Sequence, residues 1–173
     1  MLDATTVTPQ VAQASFRTLM SSFPTGVTVV TAIGADGVPK GLTCTSLTSV
    51  SLEPPMLLVC LDARSGTLSA IESAGSFAVN LLHARGQRAA ELFASRTPDR
   101  FTRIPWRPSG MVGAPWLVED AFAVAECVVE SVRTAGDHVV VFGQITDIDL
   151  VSDVPLMYGH RRFSAWLPGP VPL

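Results

Sequence analysis

The sequence predicts a mainly β fold of antiparallel type, with about six or seven strands and two or three helices. Alternating side chains across Val27–Ile33 have the period of a β-strand, and an Ala35-Asp36-Gly37 turn leads back through Val38–Leu47. Two long strand patterns follow later, at Ala123–Val132 and Asp137–Leu150. The strands follow one another too closely for helical crossovers, which favours a closed or partly open antiparallel barrel.

The N-terminal region predicts one helix. Thr8 and Pro9 suit the N-cap and first helical positions, apolar residues with helical spacing follow, and Pro24 and Gly26 end the helix. We expect residues 1–10 to form a flexible tail, residues 11–167 a single domain and residues 168–173 a C-terminal tail.

Strands and helices alternate in the middle of the chain. A buried strand is predicted at Met56–Leu61, then a helix at Gly66–Ser73 capped by Ser65, a strand at Ser76–Leu82 and a helix at Gln87–Ser95. Residues 96–120 contain four prolines and two tryptophans and read as an irregular loop. A loop of this length is usually functional or packs over a partner.

Composition excludes several classes of protein. Hydrophobic residues make up 47% and charged residues 16% of the 173 residues, which favours a packed core and a homo-oligomer that covers apolar surface. A net charge of −3 without a basic run argues against nucleic-acid binding. No signal-peptide pattern or apolar run long enough for a membrane helix occurs. Three scattered cysteines argue against a disulfide framework and a zinc site, and we expect a cytoplasmic protein without a metal.

The familiar catalytic devices are missing from the sequence. It contains no dinucleotide-binding glycine fingerprint, no phosphate-binding P-loop and no G-x-S-x-G nucleophile motif. Its three histidines, His83, His138 and His160, are isolated. A hydrolase therefore has little support.

A run of small polar residues stands out at 41–51, where eight of eleven positions are hydroxyl, thiol or glycine residues. Hydroxyls and free backbone N–H groups can bind a phosphate or a polar ring edge without adding charge. The alternative is a threonine-rich exposed strand, because threonine favours strands.

Three further candidates have an equally ordinary alternative. Gly136-Asp137-His138 could contact a ligand or form a simple turn. The basic and aromatic segment Tyr158–Phe163 could hold a phosphate and stack on a ring, or be a solvated turn. Asn80, in an apolar strand, bonds nearby backbone or faces a ligand.

The order of these segments resembles the short-chain flavin reductase family, the reductase components of two-component flavin monooxygenases. The resemblance covers roughly residues 15 to 166 and rests on six segments: Phe23–Thr31, 41–55, Phe77–Leu82, Arg96–Phe101, Gly136–His138 and Tyr158–Phe163. It implies a flavin-binding split β-barrel, a homodimer, and reduction of free FMN or FAD by NADH, with NADPH as the alternative. Reduced flavin would diffuse to a separate monooxygenase.

The resemblance also implies roles for individual residues. Those expected beside the flavin ring and ribityl chain are Pro24, Thr25, Gly26, Val27, Thr43, Cys44, Thr45 and Ser46, with Asn80 and Leu81 at its border. Those expected toward the phosphate are Val50, Ser51, Ser65 and Thr67. Those associated with the nicotinamide cofactor are Gly136, Asp137, His138, His160, Arg161, Arg162 and Phe163, and His138 is expected to position the nicotinamide.

One position departs from the family pattern. The family tail has a glycine beside its arginine, whereas alignment on Phe163 places Arg161 at that position. A charged side chain there bears on the choice between NADH and NADPH.

Three other hypotheses remain open on the sequence. A flavin-retaining electron carrier of the same fold would hold its flavin without consuming NADH. An oxidase of pyridoxamine phosphate or a haem-degrading split barrel would not need the Gly136–His138 and tail segments. A silent binding module would bind neither cofactor.

Overall fold

Strands dominate the computed structural model, which describes residues 11–167 and 169. Its helices are α1 (Gln13–Ser21), α2 (Gly66–Ala74) and α3 (Gln87–Ala94), with single 3-10 turns at Ala84–Gly86 and Arg100–Thr102. Its strands are β1 (Thr25–Gly26), β2 (Thr28–Ile33), β3 (Pro39–Cys44), β4 (Thr48–Leu52), β5 (Pro55–Asp62), β6 (Ser76–Leu82), β7 (Arg107–Pro108), β8 (Pro115–Trp116), β9 (Ala121–Ala135), β10 (His138–Leu150), β11 (Leu156–Gly159) and β12 (Arg162–Ala165).

Seven strands form one antiparallel sheet in the order β3-β2-β6-β9-β10-β5-β4. Laid flat, this sheet would be about 29 Å wide, because neighbouring strands lie about 4.8 Å apart. Its two edge strands, β3 and β4, are nevertheless joined by only residues 45–47, which can span at most about 14 Å. The sheet must therefore curl until its edges approach without pairing, and the predicted split barrel is confirmed.

A three-stranded sheet, β1-β11-β12, adjoins the barrel, and Val27 links the two sheets. The Val27 N–H donates to the Leu156 carbonyl at 3.0 Å, and the Val27 carbonyl accepts from the Leu82 N–H at 3.1 Å. Val27 is itself buried. The small sheet is thus fixed to the mouth of the barrel.

The barrel interior is filled by aliphatic side chains around Phe77, which is fully buried. Gly143 of β10 lies directly against this ring: a Cβ there would come within 2.5 Å of the phenyl Cζ. A second cluster, which includes Phe93 and Leu117, packs α3 and the irregular segment against the outside of β2 and β6. The elements that carry the predicted site are therefore supported by two separate cores.

The structure changes several predicted boundaries. The strand expected through Leu47 ends at Cys44, and β4 begins separately at Thr48. The irregular segment contains the small β7–β8 pair, and the tail from Tyr158 belongs to the β11–β12 hairpin. The first helix is described from Gln13, whereas Thr8 and Pro9 lie outside the described residues. The expected tails, residues 1–10 and 168–173, lie there too, apart from Gly169.

No helix in the described part of the chain is long and apolar enough to cross a bilayer. Nor do residues 11–167 contain a group of three or more His, Cys, Asp or Glu side chains arranged to hold a metal ion.

A buried carboxylate on β9 fixes the irregular segment to the barrel. Oε2 of Glu126 accepts hydrogen bonds from the Ser109 hydroxyl at 2.7 Å, the Met111 N–H at 2.9 Å and the Val112 N–H at 2.6 Å. Burial acts to raise the pKa of Glu126, but the hydrogen bonds from this loop outweigh it and hold the pKa below its ordinary value. The charged form of Glu126 is therefore the one that the fold stabilises.

We expect Glu126→Gln to lower the free energy of unfolding at pH 7 by roughly 1–3 kcal/mol, because a neutral amide oxygen accepts these hydrogen bonds more weakly than a carboxylate does. A lowered folded-state pKa contributes stability above the unfolded value that is lost as the pH falls through the folded value. The variant should therefore lose less stability than wild type on acidification. Urea unfolding from pH 3 to 7 measures both effects, with the exposed Glu72→Gln as control. Equal stability of variant and wild type at pH 7 would contradict this role.

Candidate functional site

The chain crosses the opening of the barrel at Thr45, between two anchored neighbours. On one side, Cys44 is buried in the core and its carbonyl accepts from the Thr28 hydroxyl at 2.8 Å. On the other, the Ser46 hydroxyl donates to the Cys60 carbonyl and accepts from the Cys60 N–H, both at 3.0 Å. Thr45 is left exposed at the opening.

The Ser46 side chain makes the hydrogen bonds to β5 that a neighbouring strand would otherwise make. β4 pairs with β5 only as far as Leu58, so the Cys60 peptide groups that face away from β10 have no strand partner there. The single hydroxyl satisfies both groups. Burial raises the pKa of Cys44, whose thiol also contacts the Ser46 hydroxyl at 3.1 Å. Cys44 thus helps to build the wall of the site as a neutral thiol.

Three cavities meet at Thr45. The large cavity, about 770 Å³, lies between α1, β1 and residues 45–48. The side cavity, about 450 Å³, lies against α3 and the β11–β12 hairpin, and the small cavity, about 170 Å³, lies beneath β1. They bring together nine residues predicted from the sequence: Thr25, Gly26, Val27, Thr43, Thr45, Ser46, Leu81, Arg161 and Phe163.

The lining is suited to a flat, uncharged ring with polar edges. Threonine and serine hydroxyls alternate with aliphatic and aromatic side chains, among them Phe16, Phe23 and Tyr158. The Tyr158 and Phe163 rings contact each other at 5.0 Å between centroids. The size of the large cavity is that of an ordinary small-molecule site. Its hydroxyls can donate or accept hydrogen bonds without carrying charge.

Asn80 serves the fold through its side chain. Its Nδ2 donates to the Val29 carbonyl at 3.1 Å, and the Thr31 hydroxyl and Pro115 carbonyl lie 3.2 Å away. Its Oδ1 accepts from the Leu117 N–H at 2.8 Å. The side chain is fully buried, so its partners are protein groups and the expected ligand contact is not made by it. Its neighbour Leu81 does line the small cavity.

The expected phosphate-side residues are split between two ends of the barrel. Ser51 pairs with Met56 at one end of β5, whereas Ser65 follows Asp62 at the other. Six strand residues separate those ends, about 20 Å. Within one chain, Val50 and Ser51 therefore cannot bind the same phosphate as Ser65 and Thr67, which corrects that part of the prediction.

Gly136 and Asp137 form the turn between β9 and β10, and His138 opens β10 opposite Asp62. The Asp137 carboxylate lies 2.8 Å from Nδ1 of His138, and the backbone carbonyl of Asp137 accepts from the Ala63 N–H at 3.0 Å. Hydrogen bonds from Arg64 lower the pKa of Asp62 to about 2. None of the three turn residues lines the cavities at Thr45.

This charged group nevertheless adjoins the site. Asp62 follows Cys60 by two residues, about 7 Å along the strand, and Cys60 is held by Ser46. Ser65 caps α2 by accepting from the Thr67 N–H at 3.2 Å. The N-terminal turn of α2, with Arg64 beside it, therefore closely follows the strand residue that Ser46 holds at the opening.

Of the four predicted tail residues, two line the cavities and two do not. His160 and Arg161 form the two-residue turn of the β11–β12 hairpin, with φ of 49° and 60°. Arg161 lines the large cavity and Phe163 the side cavity. His160 and Arg162 line neither cavity. Pro24, expected beside the flavin ring, also lines neither cavity and packs against Gly159, where a Cβ would lie 3.1 Å from the Pro24 Cβ.

Sequence reasoning missed the wall that α1 provides. Its apolar residues have the spacing of a core-facing helix, yet no residue of α1 is buried: Phe16 is 57% and Leu19 67% exposed. Phe16, Arg17 and Met20 line the large cavity. Helical spacing alone does not distinguish a buried face from one that borders a cavity.

We expect Ser46→Ala to lower the free energy of unfolding by roughly 1–3 kcal/mol, because the Cys60 N–H and carbonyl both lose their partner. Ser69→Ala, at an exposed position of α2, is the matched control and should change stability by less than about 0.5 kcal/mol. Urea unfolding at constant pH measures both variants. Equal effects of the two substitutions would show that the Ser46 bonds do not hold the opening.

Comparison with known proteins agrees with this geometry. The flavin reductase-like domain family matches residues 20–167. A flavin reductase (NADPH) of Lentzea aerocolonigenes is 54% identical over 158 residues, which cover 91% of this chain and 92% of that protein. The reductase subunit of a flavin-dependent monooxygenase from Mycobacterium tuberculosis is 38% identical over 162 residues, 92% of this chain and 85% of that one.

Among solved structures, the NADH:FAD oxidoreductase of Streptomyces globisporus, in complex with NAD and FAD fragments, superposes with a TM-score of 0.86. It is 30% identical, and the match covers 95% of this chain and all of that one. The family match extends over the barrel, the residues at Thr45 and the tail hairpin. This chain belongs to the flavin reductase-like family.

Proposed function

We propose that this protein is an NAD(P)H-dependent flavin reductase that supplies reduced flavin to a separate flavin-dependent monooxygenase. The observation that carries the proposal is the lining at Thr45, which consists mainly of hydroxyls, aliphatic side chains and aromatic rings. Its charged members are Arg17, Arg161 and the exposed Glu91, and it includes no histidine or cysteine. Such a lining suits a reaction in which two bound cofactors exchange a hydride and the protein contributes positioning. The names of the relatives, a flavin reductase and a monooxygenase reductase subunit, support it.

The proposed chemistry is transfer of a hydride from the nicotinamide to the flavin, which are the groups that supply the redox chemistry. The protein holds the two rings at near-attack distance, about 3–3.5 Å. The Thr45 hydroxyl and the backbone N–H groups of Thr45 and Ser46 are the proposed donors to the polar edge of the flavin, and the Tyr158 and Phe163 rings form an apolar wall. Packing of both rings against this wall excludes water from the transfer.

The N-terminal turn of α2 is the proposed position of the flavin phosphate. The proposed donors are the Ser65 hydroxyl and the N–H groups of the first turn other than that of Thr67, which Ser65 caps, and Arg64 lies beside them in an ion pair with Asp62. Both FMN and FAD satisfy this arrangement, and the proposal leaves the choice to the assay below. NADH is the reductant that the sequence favours, whereas the Lentzea relative is named for NADPH.

A homodimer is the proposed assembly, with residues 11–167 as one domain in each subunit. Residues of β4, β5, β6, β9 and β10 line an apolar groove of about 270 Å³, which includes core residues at one end and exposed residues at the other, where Ile148 is 57% and Leu150 64% exposed. Exposed apolar surface of this kind favours association. The three free cysteines suit a reducing compartment, so we propose the cytoplasm.

The main competing function is a flavin-retaining electron carrier. It would keep its flavin through gel filtration and would not oxidise NADH. The relatives' names do not favour this alternative.

We expect oxidation of NADH or NADPH, followed at 340 nm under air, to depend on added flavin. Purified protein is assayed with FMN, FAD or no flavin, because a protein that releases reduced flavin needs a fresh supply for each turnover. The better flavin and the better reductant identify the substrates. Consumption of neither reductant with either flavin would contradict the reductase function, and bound yellow flavin without turnover would favour the carrier.

We expect His138→Ala to raise the KM for the nicotinamide substrate much more than it lowers kcat, because His138 is proposed to position that ring. His138 does not line the Thr45 cavities of its own chain, so this role requires the partner subunit of the dimer. Steady-state kinetics test the role of His138, and light scattering tests the dimer on which that role depends. An unchanged KM, or a monomeric wild-type protein with full activity, would contradict it.

A further inference from the structure

We propose that Arg17 and Arg161 together bind a phosphate group of a nucleotide substrate in the large cavity. This inference rests on the proposed function, because it takes the flavin and nicotinamide nucleotides as the ligands. It adds a residue of α1 that the sequence did not single out. It also gives Arg161 a specific chemical partner.

The two arginines approach the cavity from different elements. Arg17 lies in the middle of α1, and Arg161 lies in the turn between β11 and β12. The backbone N–H of His160 donates to the carbonyl of Ser21 at the end of α1, which joins the turn to the helix. Both guanidinium-bearing side chains line the same 770 Å³ space.

The electrostatics of the cavity favour an anion. No aspartate or glutamate is among its lining residues. Neither Arg17 nor Arg161 forms an ion pair within the described part of the chain, whereas Arg64 and Arg85 are each paired with an aspartate. Two cations that share a cavity repel each other unless an anion lies between them. A phosphate accepts the planar forks of two guanidinium groups and neutralises both.

The backbone at Arg161 provides an independent observation. Its φ of 60° lies in the left-handed region, at the second position of a two-residue hairpin turn. Such turns favour glycine or asparagine, because most other residues are strained in the left-handed region. Arginine at this position lowers the stability of the turn and places a cation at the cavity, as expected of a residue that binds a ligand.

Two substrates could supply the phosphate: the 2′-phosphate of NADPH, or the phosphate of the flavin, which would then lie here and not at the α2 turn proposed above. Equilibrium calorimetry distinguishes them with matched probes that differ by one phosphate. The first pair is 2′,5′-ADP and 5′-AMP, and the second pair is FMN and riboflavin. The proteins compared are wild type, Arg161→Gly, Arg17→Gln and, as a charge control, Arg103→Gln at an exposed position outside the cavity.

We expect Arg161→Gly and Arg17→Gln each to weaken binding of one phosphorylated probe at least tenfold, while its partner without that phosphate changes less than twofold. The affected pair identifies the source of the phosphate. Arg103→Gln should leave all four affinities within twofold. Arg161→Gly should also raise the melting temperature, since glycine relieves the strained turn; loss of binding by an unfolded variant is thereby excluded.

Equal weakening of both members of a pair would overturn the proposal, as would wild-type protein that discriminates neither pair. An effect of Arg103→Gln as large as that of the other two variants would assign the result to long-range charge and overturn it as well. These binding measurements do not require turnover. A failed NAD(P)H oxidation assay would therefore contradict the reductase function without deciding the role of the two arginines.

Discussion

The short link between the two edges of the sheet is the constraint on which the site depends. Three residues, 45–47, must connect β3 to β4 across the seven-stranded sheet, so the sheet curls and its edges approach without pairing. One hydroxyl, that of Ser46, satisfies the Cys60 peptide groups left open at this gap. The opening is therefore a fixed feature of the barrel, and Thr45 is exposed there because both of its neighbours are held.

Buried polar groups in this protein support architecture, and the large cavity holds two cations, Arg17 and Arg161, among mostly neutral groups. Glu126 holds the loop at 109–112, and Asn80 joins β2 to the segment at 115–117. Each is satisfied by several protein partners, as expected where an unpaired polar group would cost free energy. The cavities at Thr45, by contrast, present hydroxyls and rings. A reaction between two cofactors needs a shaped and dry surface more than a tuned acid or base.

Local patterns were sufficient for most of the barrel but insufficient where distant residues decide the outcome. Period-two alternation located β2, β6 and the long β9–β10 pair, because each buries alternate or continuous apolar residues. The break after Cys44 depends on the bonds of Ser46 to Cys60, fourteen residues away, and the tail hairpin depends on pairing with β1. The motif order brought Thr45 and Arg161 into one site. It could not separate the buried side chain of Asn80 from ligand contacts, or place Ser51 and Ser65 at opposite ends of β5.

Thr45 borders all three cavities, so their occupants share a wall. Two ligands that touch the same residue do not bind independently: each changes the free energy with which the other binds, and the change is reciprocal. If the proposed flavin and nicotinamide occupy two of these cavities, the first to bind supplies part of the surface that the second meets. On the proposed function, the order of substrate binding and product release would then be coupled through the surroundings of Thr45.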